Sequence, residues 1–470
     1  MTLDVRKFFQ ATSPEKPLFL DNYEEDQQYY IDFSSVRGGQ VIKDLCNQIT
    51  FWAPDAPTCQ LFTGHVGCGK STELLQLKAE LEREGFHVVY FDSFKNLEMA
   101  DVDISDILLA IAGQVSESLD QLERNRSRNT KDILKKVANL LQTEIELAAE
   151  AAVPGLGKVT ASTEGDLSVK VGIPGVGEVK VNNEEGFSLV APLIGKITAK
   201  AKASPEFRDR LRGYLEPRTN GILDAINSEL LEPGIKKLKE CGKKGLVVIV
   251  DNLEKMHSTP KLGRSQPEYL FVDRGEQLRG LNCHVIYTMP IGLRFSNAFG
   301  HLLQRFKNPT VLPMVLVQLR DGSECKSGMA LLRQMVLARA FPDLDEEQRL
   351  SKITEIFDTP ETLDRLCRIS GGHVRNLLRL LHNSLQKEMG LPISRQSLEA
   401  VIQEYCNDRV LAVEDEEWLL LRQVIQNQKV VGNDGYEKLI RSIFVYEYRD
   451  EKGPWFAINP ILAEAEELKQ

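Results

Sequence analysis

Lys70 and Ser71 close the stretch Gly64-His65-Val66-Gly67-Cys68-Gly69-Lys70-Ser71, which fits the pattern G-x-x-x-x-G-K-[ST]. Glycines at 64, 67 and 69 let a backbone curl until successive N–H groups point inward at an anion. The helix expected from Thr72 to Leu81 adds the partial positive charge of its N-terminus. In such a cradle Lys70 reaches the β- and γ-phosphates of a nucleotide, and the Ser71 hydroxyl completes a magnesium shell. Residues 59–63 read as a short buried strand, so strand, glycine loop and helix follow in the order the pattern requires. Nucleotide binding is the first expectation.

A site of this kind also needs an acid for the metal, a group to position water and sensors for the terminal phosphate. Residues 245–250, Gly-Leu-Val-Val-Ile-Val, are the most apolar short run in the chain and lead into Asp251-Asn252-Leu253-Glu254. An acid at the end of a buried strand can hold a Mg2+ shell through Ser71 and water, which makes Asp251 the preferred metal residue. Asp92, at the end of the apolar run 87–92, competes for that role. Glu254 is the candidate to orient or deprotonate water; a solvated acid at a helix start is the other reading of it.

These residues need elements to hold them. At 470 residues the chain has room for two or three domains, and 42% hydrophobic with 27% charged residues is the balance of a globular protein. Apolar runs at 59–63, 87–92, 245–250, 284–288 and within 311–319, separated by helical patterns, predict an α/β fold. The expected arrangement is a doubly wound parallel sheet with the ligand at the carboxyl ends of its strands. The segments are 1–57, an N-terminal strap; 58–123 and 241–326, two parts of the core; and 124–240, an insertion. Residues 327–412 form a helical lid, and 413–470 are two helices followed by a two-stranded wing. Within the insertion, Val153-Pro-Gly-Leu-Gly-Lys158 and Ile173-Pro-Gly-Val-Gly-Glu178 recur twenty positions apart and suggest short hairpins or a mobile segment. The strap segment ending Arg37-Gly38 is placed either to cover a purine ring or to pack on the core; the two are compatible.

Net charge is −10, so the chain as a whole is no polyanion binder. From 414 to 469 acidic residues outnumber basic ones twelve to seven, unlike the face a DNA reader presents. The eight cysteines are scattered without a C-x-x-C pair and read as reduced core residues. No apolar run is long enough to cross a bilayer, and the opening residues lack a signal-peptide pattern, so a cytoplasmic protein without membrane contact is expected. H-E-x-x-H and G-x-S-x-G are absent, which leaves metal-hydrolase and serine-hydrolase readings without support.

The glycine loop, the strand ending at Asp251, the strand ending at Thr288 and Ser370-Gly371-Gly372-His373-Val374-Arg375-Asn376-Leu377 occur in one order. Over about residues 30–390 they resemble the AAA+ and STAND branches of P-loop ATPases, and the C-terminal segment looks like the winged-helix module of many members. The resemblance implies ATP and ADP as ligands with Mg2+, Thr288 as first sensor and Arg375 as second sensor on a lid. It also implies an additional strand between the loop strand and the metal-acid strand, to which Asp92 is assigned. His373 reads as a cap or packing residue. Asn252 stands where many relatives have a glutamate, which implies slow turnover. No proline occupies the lid motif, so the lid is closer to that of replication initiators. Arg294 and Arg305 are the candidates for an arginine finger.

The function so implied is a slowly hydrolysing ATP switch that acts on a protein partner or through self-assembly, as in signalling or phage defence. A second expectation is a double-stranded-DNA-associated ATPase similar to replication-initiator or transposition-regulator proteins. A nucleotide-bound scaffold without turnover is the third.

Overall fold

The computed structural model describes residues 3–14, 18, 24–124, 169–173, 177–181, 198–199, 201–432 and 434–469. Its centre is a parallel sheet of β1 (Cys59–Gly64), β2 (His87–Asp92), β3 (Leu246–Asp251), β4 (His284–Thr288) and β5 (Thr310–Leu312). The spatial order is β2-β3-β4-β1-β5. The strands read as continuous apolar runs because both of their faces are covered. Along β3, Val248 and Val250 join one hydrophobic cluster while Val247 and Ile249 join the opposite one, as a side-chain period of two demands.

Each face has its helix. α1 (Lys70–Arg83) lays Leu74, Leu77 and Leu81 against one side. Gly85, at φ +94°, follows α1 and turns the chain towards β2. α2 (Ile104–Arg124) lays Ile107, Ile111 and Val115 on the other side. The strand lying between β1 and β3 is β4, whereas β2 lies beyond β3 at the sheet edge. This corrects the placing of Asp92 on the intervening strand. β1 and β3 are separated by the strand that ends in Thr288.

In the insertion, Val169–Ile173 pairs antiparallel with Gly177–Val181 around the second of the two glycine repeats. The first repeat and the run from 125 to 151 lie outside the described residues. The helical return expected over 206–240, with a break near Pro233, is instead interrupted by a π-helical turn over Ile226–Leu231. Pro233 follows that turn, with Leu231 and Glu232 both in right-handed helical backbone.

Beyond the sheet come α3 (Lys326–Ala340), α4 (Pro360–Ile369), α5 (Val374–Glu388) and α6 (Arg395–Val410). They share one apolar cluster with α7 (Asp415–Asn427) and α8 (Asp434–Arg441). A hairpin of β6 (Val445–Asp450) and β7 (Gly453–Ile458) closes the chain, with Asp450 paired to Gly453 across a turn tighter than the sequence suggested. The hairpin divides its side chains: Tyr446, Tyr448 and Trp455 join the sheet cluster over α1, while Val445, Phe456 and Ile458 join the helical one. The helical layer and the sheet are therefore packed through it. Among the described residues no helix is long and apolar enough to cross a membrane. Strand order, glycine loop and covered faces make this an α/β P-loop NTPase fold with a helical C-terminal module.

The joint between sheet and helical module is close at Gly372. Its φ is +73°, and a Cβ there would fall 1.8 Å from the Val315 carbonyl oxygen. Gly372→Ala is expected to cost about 2–4 kcal/mol, from backbone strain and overpacking together. Urea unfolding followed by circular dichroism checks this; an unchanged midpoint would show that the joint relaxes freely.

Candidate nucleotide site

Register brings the chemistry to one end of the sheet: Phe62 pairs with Thr288, and Asp92 with Asp251. Gly64, Asp92, Asp251 and Thr288 thus end their strands side by side. Between β1 and α1 the chain turns through Gly67 at φ +89° and Gly69 at φ +105°. A side chain at Gly67 would also meet the helical module, since a Cβ would lie 2.7 Å from the His373 ring and 2.9 Å from the Arg375 Cβ.

Lys70, the first residue of α1, is buried. Its Nζ donates to the carbonyls of Gly64 and His65, each at 3.0 Å, and pairs with Glu254 Oε1 at 3.0 Å. Burial alone would lower the Lys70 pKa, but the Glu254 carboxylate outweighs it and holds the ammonium above its usual value. For Glu254 burial pushes upward, and the Lys70 charge overcomes it to leave the carboxyl below its ordinary range. The second Glu254 oxygen, Oε2, is buried with no hydrogen-bond partner among the described residues. An acceptor in that condition is open to a water or ligand proton.

Asp251 is fully buried. Tyr90 donates its hydroxyl to Oδ2 at 2.7 Å, and the Asn252 N–H donates to Oδ1 at 2.7 Å. Burial and then the Glu254 charge push its pKa up to about 6, while bonds from Ser71, Tyr90 and Asn252 oppose them. The Ser71 hydroxyl therefore faces the Asp251 carboxylate. For Mg2+ the two are suitable hard-oxygen donors, because this ion takes one or two protein oxygens and leaves the rest to phosphate and water. Among the described residues no group of three or more His, Cys, Asp or Glu forms an all-protein metal site.

Asn252 adopts a left-handed φ of +67° and donates its side-chain amide to Asp92 Oδ1 at 2.7 Å. Asp92 Oδ1 also caps the short helix that follows it by accepting from the Phe94 N–H at 3.0 Å. Asp92 Oδ1 is thus held by Asn252 and the Phe94 N–H. Thr288 Oγ1 accepts from the Leu253 N–H at 2.9 Å and so fixes the turn that presents Glu254.

Arg37 is buried beneath the loop, donating to the Cys68 carbonyl at 2.8 Å and pairing with Glu73 at 3.5 Å. Its guanidinium lies 5.4 Å from the Phe33 ring centroid. Arg37 is placed as a strut of the loop as well as a wall of the cavity. That cavity, about 720 Å³, is lined by Gly67, Lys70, Ser71 and Thr72 together with Tyr29, Ile31, Phe33, Met335, Arg339 and Leu378.

The remaining loop positions face outward to the C-terminal half. His65 Nε2 accepts from the Glu447 N–H of β6 at 3.0 Å. The Val66 carbonyl accepts from His373 Nε2 at 2.9 Å, and the Gly67 carbonyl from the Arg375 N–H at 3.1 Å. His373 Nδ1 accepts from the Asn376 N–H at 3.0 Å, which places the ring proton on Nε2 and makes His373 the N-cap of α5. Tyr446 stacks on His373 at 5.6 Å and meets the His65 ring edge-on at 5.9 Å. Arg375 lines the cavity one turn away. Of the two finger candidates, Arg294 is paired with Glu447 of the same chain and Arg305 donates to the Asp273 carbonyl at 3.2 Å. Tyr90, Arg339 and Tyr446 are the site residues that the sequence reading missed. Only Arg339 left a signal, as a charge inside the apolar run Met-Val-Leu-Ala-Arg-Ala.

No family model matches the chain, and no curated protein does. Solved structures do align over almost its whole length. Cdc6p from Pyrobaculum aerophilum is 11% identical with a TM-score of 0.36, covering 98% of this chain and 96% of that one. The Aeropyrum pernix ORC2 protein, solved as ADPNP–ADP complexes, is 10% identical with a TM-score of 0.38, over 97% of this chain and 94% of that one. The Aeropyrum pernix ORC1 protein, solved in complex with DNA, is 10% identical with a TM-score of 0.36, over 95% of each chain.

The two histidines that tie the loop down make the joint sensitive to acid. Burial lowers both imidazoles to about 3, against 6.5 for the free side chain. Between those values the unfolded chain binds more protons than the folded one, so stability falls as pH drops through 6.5 towards 3. Each histidine contributes about 1 kcal/mol of that loss per pH unit just below its free pKa. His373→Asn keeps an N-cap oxygen but cannot titrate. Its unfolding free energy is expected to fall less than that of the parent between pH 6.5 and 5.5, and parallel curves would refute the buried-neutral assignment.

Proposed function

We propose that this chain is a Mg2+-dependent ATPase of the AAA+/STAND type that works as a slow switch. Residues 327–412 serve as the lid, and the winged-helix-like segment 413–470 carries the output to a protein partner or to self-assembly in the cytoplasm. One observation carries this reading. The phosphate loop is hydrogen-bonded to both C-terminal elements, through His373 and Arg375 of the helical module and through Glu447 of the hairpin. Whatever moves the loop must also act on them.

The chemistry assigned to the site follows from its charges. Bound Mg2+, held by Ser71 and Asp251, would neutralise and orient the phosphates. The triphosphate oxygens compete with Glu254 for the Lys70 ammonium, and a Glu254 released from that pair regains basicity. It then accepts a proton from water as the water oxygen bonds to the γ-phosphorus, the bond to the β-phosphate breaks, and ADP and phosphate leave. After turnover Lys70 returns to Glu254. Thr288 and Arg375 are assigned to sensing the γ-phosphate, the first through the turn it holds and the second from the lid. Asn252 supplies no second base, so turnover is slow.

Steady-state ATP turnover tests the catalytic part, with Lys70→Ala and Glu254→Gln as controls. Both variants are expected to lose at least tenfold. Double-stranded DNA should leave the rate unchanged, and strong stimulation would favour the DNA-associated reading instead. Hydrogen exchange tests the switch. Amides of residues 445–450 should exchange differently in a non-hydrolysable ATP analogue and in ADP, a difference that disappears in Lys70→Ala. Equal exchange with both nucleotides bound would overturn the coupling.

A further inference from the structure

Arg339 lies near the end of α3 and is buried, with 6% of its surface exposed. Of the other buried arginines, Arg37 and Arg208 each meet a carboxylate, from Glu73 and Asp101, and Arg349 gives Nε and Nη2 to the Phe341 and Pro342 carbonyls. Arg339 forms no ion pair among the described residues. Its Nη1 donates to the Met335 carbonyl of its own helix at 2.8 Å, and its Nε is buried with no acceptor among the described residues. Burial lowers its pKa to about 10, with partial relief from Tyr29 and Asp26. A buried guanidinium with an unused donor is costly unless something else satisfies it.

The cavity supplies the place for that partner. Arg339 lines it together with Tyr29, Ile31, Phe33, Met335 and Leu378, in the same cavity as Lys70 and Ser71. Apolar and aromatic walls around one donor group suit a nucleoside, whose ring and sugar carry acceptors while its phosphates sit at Lys70. Arginine can only donate, so it selects acceptors: ring nitrogens, a purine carbonyl or ribose oxygens.

We propose that Arg339 is a nucleoside-reading residue, which donates to an uncharged acceptor of the base or ribose within the cavity that Lys70 also lines. This rests on the nucleotide-site reading above and adds to it the residue that distinguishes a nucleotide from a bare phosphate chain. Arg339 is a binding and specificity residue here and takes no part in the bond-breaking step.

The test is equilibrium binding of ATP, 2′-deoxy-ATP, GTP and inorganic tripolyphosphate to the full chain and to Arg339→Met, Arg339→Lys and Lys70→Ala. Arg339→Met should weaken ATP roughly ten- to hundredfold, the usual range for a charge-assisted hydrogen bond, and leave tripolyphosphate within twofold. Arg339→Lys, which keeps the charge and loses the fork, should fall between. A parent preference for ATP over 2′-deoxy-ATP that vanishes in Arg339→Met assigns the acceptor to the ribose. An ATP-to-GTP ratio that changes instead assigns it to the base. Thermal unfolding without ligand is a second readout: removing an unpaired buried charge should leave the midpoint unchanged or raise it. Equal losses for ATP and tripolyphosphate, unaltered ATP affinity, or failure of both Arg339 variants to fold would each overturn the proposal. If Lys70→Ala leaves every affinity unchanged, the nucleotide-site reading itself fails, which is a separate result.

Discussion

The buried pair of Lys70 and Glu254 is the constraint on which the rest of the site depends. An ammonium withdrawn from water needs its donors satisfied, and Lys70 finds two loop carbonyls and one carboxylate. The carbonyls belong to the end of β1 and the start of the loop. The carboxylate comes from the turn after β3, which never pairs with β1 because β4 stands between them. Thr288, at the end of β4, completes the arrangement by accepting from the Leu253 N–H. Three strand ends are thus set by one charge. Had Glu254 been a solvated acid, the turn would need neither the left-handed Asn252 nor the Thr288 bond to aim it inward.

A phosphate loop is usually described by its glycines, its lysine and its hydroxyl, which leave the intervening positions chemically free. Here those positions are used. His65, Val66 and Gly67 each bond to a residue more than three hundred positions further along the chain. A hydrogen bond of this kind contributes about 1 kcal/mol net, so the three together bias the helical module and hairpin by a few kcal/mol. That is the range of coupling free energies found between linked sites. A stronger joint would lock the loop, and a weaker one would transmit nothing. The ring of Tyr446 between His65 and His373 excludes water from these bonds and keeps them worth forming.

The fold was readable in the sequence wherever the chain carries its own reason for it. Runs such as 245–250 are apolar at every position because β3 is covered on both faces, and the glycine loop announces itself by spacing. Asp251, Glu254 and Ser71 were expected to lie together, and the structure sets Glu254 against Lys70 and Ser71 against Asp251. Strand order was not readable: nothing local distinguishes an edge strand ending in Asp92 from an inserted one, and the sheet reversed that assignment. The contacts of His65, His373 and Tyr446 were also out of reach, since each depends on where a distant segment docks. Arg37 shows a middle case. Its position ahead of β1 was noticed, but its bond to the Cys68 carbonyl depends on how the strap crosses the loop.

Charge distribution completes the picture of how an acidic protein would hold a polyanion. With a net charge of −10 the chain repels nucleotides at long range, so capture must come from groups inside the cavity. Lys70 and Arg37 are both already paired there, with Glu254 and Glu73. Pairing keeps these cations buried and positioned while no phosphate is near, and their carboxylates are partners that a stronger anion can displace. Displacement of Glu254 changes the basicity of the residue assigned to water, whereas displacement of Glu73 would loosen only the strut under the loop. Among the described residues Arg339 has no such partner to give up. In the proposed reading the unpaired cation therefore gains most from a ligand, while the paired Lys70 changes the chemistry of its neighbour.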